Sequence, residues 1–123
     1  MKQGNKYGKG AKAKATILHS KIVRSRGSCE RCGSLGPLDC AHIVSRGYSW
    51  TRTDLDNAWC MCRSCHFRLT NDPFLHVQFA VQTRGEAGYE ALRRKALEGV
   101  NTKFDWAAEL ERLQAIALEL GMS

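Results

Sequence analysis

Cysteine is the residue type whose spacing most constrains the chemistry open to this chain. Cys29-Glu30-Arg31-Cys32 and Cys62-Arg63-Ser64-Cys65 form two Cys-x-x-Cys knuckles with 29 residues between them. A two-residue gap lets both thiolates of a tight turn reach one ion, and two such pairs supply the four soft ligands of a tetrahedral zinc site. Cys40 and Cys60 stand among apolar neighbours, Leu38 and Ala41, Trp59 and Met61. Free cysteines pack like small hydrophobes, so both read as core. Between the knuckles stand His42 and Asn57, and His66 follows Cys65 directly. Successive helical residues point about 100° apart, so Cys65 can face the structural ion while His66 faces a second site. The physical logic is a general base at His42, an orienting amide at Asn57 and a metal ligand at His66. Taken singly, His42 reads as an ordinary strand histidine, Asn57 as a turn former and His66 as an alternative zinc ligand.

Around these residues the pattern predicts few elements. Residues 1–14 read as a flexible basic arm rich in Gly, Ala and Lys, and 15–123 as a single domain. Ile17, Leu18, Ile22 and Val23 mark a helix over 13–26, ended by Gly27. Residues 38–44 and 57–61 read as short strands around a polar loop, 45–56. A helix over 63–70 stops near Asn71-Asp72-Pro73, and helical patterning resumes over 74–97. Trp106, Leu110, Leu113, Ala117 and Leu120 mark a last helix over 102–120, burying one stripe against the body or pairing as a coiled coil.

Charge points to a partner. Of 19 Lys and Arg, eight fall within residues 1–28, which hold no acid, and the whole chain carries +7. A basic arm on a nearly neutral body suits a polyanion, because each neutralised phosphate releases counterions. A solubilising tail is the plainer alternative. At 123 residues, with 43% hydrophobic and 25% charged side chains, the composition is that of one globular domain. No apolar run approaches the roughly 20 residues a membrane helix needs, and the basic start lacks the apolar stretch of a secretory signal.

The segment Cys40-Ala41-His42-Ile43-Val44-Ser45-Arg46, followed by Asn57-Ala58-Trp59-Cys60-Met61-Cys62-Arg63-Ser64-Cys65-His66, resembles the HNH endonucleases, above all the small zinc-containing forms of bacteriophages and prophages. The likeness covers about residues 15–75. It implies an α+β fold with a zinc-stapled ββα-metal (His-Me finger) core at about 38–72 and flanking helices at both ends. It also implies a metal-dependent endonuclease that nicks or cuts DNA with low sequence specificity. On that resemblance His42 takes a proton from the attacking water, Asn57 holds the loop and the His42 ring, and His66 binds the catalytic divalent ion, Mg2+, Mn2+ or another. Cys29, Cys32, Cys62 and Cys65 hold structural Zn2+. Arg46 and Arg52, with Lys9, Lys12, Lys14, Lys21 and Arg24, are the candidate DNA contacts. Many family members carry a metal-binding Asp or His just before the base; here the position is Ala41, so Asp39, Cys40 or Thr70 are substitute ligands. The resemblance further suggests a cytoplasmic protein of a phage-infected bacterium acting beside packaging proteins such as terminase. A non-catalytic zinc-containing DNA- or protein-binding module is the alternative.

Overall fold

A computed structural model describes residues 10–122. Lys9 and the rest of residues 1–9 lie outside the described residues. Helix α1 (Ala11–Arg24) begins two residues earlier than the apolar pattern suggests, so residues 11–14, expected in the arm, are helical. Strands β1 (Leu38–His42) and β2 (Ala58–Cys62) pair antiparallel, with Leu38 opposite Cys62 and His42 opposite Ala58. Between them the expected loop contains a short helix, α2 (Ser49–Arg52), and a 3-10 turn, Leu55–Asn57. Its polar composition hid the packing, for Thr51 and Thr53 are fully buried and Trp50 lies against Gly99. Helix α3 (Arg63–Thr70) follows β2 directly, with the Cys62 sulfur accepting the Cys65 N–H at its N-cap.

Asp72 caps the next helix, α4 (Pro73–Glu98), by accepting the Leu75 N–H, and Pro73 sits where its missing N–H costs nothing. Gly85, with φ 76°, kinks this helix in its middle. Asp105 caps α5 (Trp106–Glu119). The architecture is α+β: five α-helices and one two-stranded sheet among the described residues, and no described helix is long and apolar enough to cross a membrane.

The sheet is covered on both faces, which is why every β2 residue is buried although a half-exposed strand would alternate. Val23 of α1 packs with Ala58 and Cys60 on one face, beside Cys40. Ala41, Trp59 and Met61 pack with Leu69 of α3 and with Phe79, Ala80 and Leu92 of α4 on the other. The apolar stripe of α5, Leu113 and Ala117 with Trp106 and Leu110, meets Ala15 and Ile22 of α1. Its partner is thus inside the chain. Phe74, Val77 and Leu97 of α4 are exposed.

Candidate functional site

The four knuckle cysteines converge. Their sulfurs all lie within 4.8 Å of one another, with Cys32 and Cys62 3.7 Å apart. Backbone N–H groups of Arg31 and Cys32 point at the Cys29 sulfur, and the Arg31 guanidinium donates to Cys65. Burial works against ionising Cys29, but these amides and that of Cys62 outweigh it and bring its pKa down to about 6. Cys65 moves the other way, to about 12, through burial and the neighbouring thiols. The donor set, its spacing and the N–H groups aimed at sulfur fit a tetrahedral zinc ion, and the four cysteines can hold a metal of that kind.

Asn57 is fully buried and spends its amide on the loop after β1. Its Oδ1 accepts the Val44 N–H (2.8 Å), and its Nδ2 donates to the carbonyls of Val44 and Thr51 (both 3.0 Å). It makes no hydrogen bond to the His42 ring and reaches it only through this loop. The next carbonyl along, Arg52 O, accepts from His42 Nε2 at 2.8 Å. Since a carbonyl only accepts, His42 carries its proton on Nε2 and exposes a lone pair on Nδ1. Burial lowers the His42 pKa below 6.5, and nearby Arg46, Arg52 and His66 add to that, outweighing the carbonyl. The ring is therefore neutral at neutral pH.

Strand alternation sends His42 to the face shared with Cys40, toward α1. Its ring centroid lies 5.5 Å from that of His19. Because His42 is the last residue of β1, it also reaches round the strand end. There it lines a cavity of about 400 Å³ together with His66, Ser45, Thr70 and His76, over a floor of Ala41, Trp59 and Leu69. The two histidines that the motif pairs thus border one cavity.

His66 Nδ1 donates to Asp39 Oδ2 at 3.1 Å, which leaves Nε2 as the free donor of a lone pair. A carboxylate behind an imidazole is the usual outer-shell support of a metal-bound histidine. Of the substitutes for the missing ligand at Ala41, Asp39 stands on His66 and is shared with Arg63. Cys40 is on the other face of the strand, its sulfur 3.8 Å from His19 Nδ1, and burial pushes its thiol up to about 11. Thr70 uses its hydroxyl to donate to the His66 carbonyl.

The candidate DNA contacts divide. Lys14, Lys21 and Arg24 project within about 80° of arc on the exposed side of α1, opposite buried Ala15, His19, Ile22 and Val23. Arg46 is exposed and borders, with Arg24 and His42, a second cavity of about 250 Å³. Lys12 is exposed and lies over the Trp106 ring of α5, 5.8 Å from its centroid. Arg52 is tied into the body, donating to Thr16 Oγ1 (3.0 Å) and to the Arg46 carbonyl (2.9 Å).

The motif gave no hint of His19. It is 1% exposed, and it donates Nε2–H to the Asp54 carbonyl. It lies 23 positions before His42 in another element, so no spacing rule joins them. His76, likewise outside the motif, donates to the Ile43 carbonyl at 2.7 Å and borders the His66 cavity. No family model, curated protein or solved structure matches this chain.

Proposed function

We propose that the chain is a metal-dependent endonuclease of the HNH type, hydrolysing phosphodiester bonds of DNA around a ββα-metal core. The observation that carries this reading is the shared cavity of His42 and His66 at the junction of β1, β2 and α3. His42 Nδ1 is the base. Held by the Arg52 carbonyl and kept neutral by burial, it takes a proton from a water beside the scissile phosphate. His66 Nε2, oriented by Asp39, is the ligand for a hard divalent ion such as Mg2+ or Mn2+. When bound, such an ion neutralises charge developing on the phosphate and the leaving 3′ oxygen. With Ala41 offering no donor, His66 would hold the ion together with water and phosphate oxygens, ligands that Mg2+ readily accepts.

Asn57 acts at one remove, pinning the Val44–Thr51 loop whose next carbonyl orients His42. The Cys29, Cys32, Cys62 and Cys65 cage, carrying Zn2+, fixes the start of α3 and hence His66. Lys14, Lys21, Arg24 and Arg46 supply phosphate contacts on the α1 side, while Arg52 and Lys12 contribute to folding instead.

The deciding experiment is nicking of supercoiled plasmid across a divalent-metal series, with His42→Ala beside the parent protein. Loss of at least a hundredfold in the variant, with zinc content and circular dichroism retained, is the expected result. Equal nicking by both proteins would assign the cleavage to another group or a contaminant. No turnover with any metal, together with salt-sensitive binding, would identify a non-catalytic zinc-containing binding module.

A further inference from the structure

The side of β1 that faces α1 carries a second group of metal-binding side chains, separate from the cysteine cage. One nitrogen of His19, one of His42 and the Cys40 sulfur all lie within 4.8 Å of one another. Both rings are anchored alike. His19 Nε2 donates to Asp54 O at 3.2 Å, and His42 Nε2 to Arg52 O at 2.8 Å. Each neutral imidazole is thereby held in the tautomer whose Nδ1 lone pair is free, the support that metal-bound histidines use. Tetrahedral zinc, with bonds of about 2.0–2.3 Å, spaces its ligands by about 3.3–3.8 Å, so the trio closes on an ion by moving about 1 Å.

We propose that His19, Cys40 and His42 form a second metal site that takes a borderline-soft divalent ion such as Zn2+. Two imidazoles and a thiolate favour that ion over Mg2+, which prefers oxygen. On binding, the Cys40 S–H bond breaks, its proton leaves to solvent, and the sulfur electron pair forms the bond to the metal. The fourth position opens to the 250 Å³ cavity bordered by Arg24 and Arg46, which favour an anionic ligand such as hydroxide or a phosphate oxygen. One consequence rests on the hydrolytic reading: an ion at this site occupies the His42 lone pair that the attacking water requires, so zinc shuts off cleavage.

The test is equilibrium dialysis of the full chain against zinc, followed by elemental analysis, on the parent protein, Cys40→Ser and His19→Gln. The parent protein should hold one zinc more per chain than either variant, all three keeping the cage zinc and the same circular dichroism. In cobalt-loaded protein, the thiolate-to-metal absorption of the extra equivalent should be missing from Cys40→Ser. Equal zinc content in parent protein and Cys40→Ser overturns the site. If one variant fails to fold, the other decides by the same comparison. Plasmid nicking with Mg2+ is then followed as the extra zinc loads. At least a tenfold fall is expected in the parent protein, and no response to zinc in Cys40→Ser, whatever its basal rate. Unchanged nicking by the zinc-loaded parent protein overturns the inhibitory consequence. A parent protein that binds the extra zinc through Cys40 but never nicks DNA refutes the endonuclease reading and leaves the second site standing.

Discussion

Replacing Asn57 by alanine tests how the loop and His42 are held together. The side chain is fully buried and makes three hydrogen bonds to the backbone of a segment with little other regular structure. Each such bond contributes about 1 kcal/mol net, so the substitution costs about 3 kcal/mol. In a chain of this size that lowers the melting temperature by roughly 10–15 °C. Asn57→Asp should do comparable harm, because its carboxylate still accepts from Val44 N–H but faces the carbonyls of Val44 and Thr51 with no proton to donate. Both are read by urea denaturation with zinc present, since loss of the cage ion would confound the comparison. At a low temperature where the variant remains folded, nicking should still fall, because Thr51 precedes the residue whose carbonyl orients His42. A loss of stability below about 1 kcal/mol would show that the loop is held by something else. Full nicking by a folded Asn57→Ala protein would separate the loop from the orientation of His42.

Three further outcomes follow from the same geometry. A Cβ at Gly99 would overlap the Trp50 ring, so Gly99→Ala should cost about 1–3 kcal/mol and shift tryptophan fluorescence, whereas unchanged thermal stability would mean that Trp50 does not rest there. Glu109 of α5 accepts from buried Thr53 and from Arg112; burial pushes its carboxyl up, but these two partners outweigh it and hold it below 4.5. A depressed carboxyl stabilises the fold above its ordinary value and loses that contribution as pH falls below it. The stability gap between the parent protein and Glu109→Gln, read from urea midpoints, should therefore narrow below pH 4.5, and a constant gap would refute the ion pair. Because α1 begins at Ala11, removing residues 1–9 deletes Lys2, Lys6 and Lys9 while sparing the helix. If all three meet phosphates, the slope of log affinity for duplex DNA against log salt falls by up to about 2.7, and an unaltered slope excludes that segment from the interface.

What could be read directly from the residue order is local or is imposed by one covalent pattern. The knuckles announce the cysteine cage because two residues between thiols suffice to aim both at one point. Helix α3 runs over the expected residues because Cys62 and the Asn71-Asp72-Pro73 stop lie at its ends. The strands were visible as apolar segments between turns, and the stripe of α5 as a three-four repeat. Other features were decided only when the elements packed. Which face of β1 meets which helix depends on α1 and α4 enclosing the sheet, and that choice turned His42 toward His19. It also placed Asp39 behind His66 and put Cys40 on the side away from it. Trp50 and Thr51 looked like loop polarity until α4 and the body closed over them, and Lys12 and Arg52 looked like free charges until Trp106 and Thr16 engaged them. Spacing along a chain governs neighbours within a turn or a knuckle, whereas neighbours 23 or 36 positions apart are set by the surfaces that exclude water between helices and sheet.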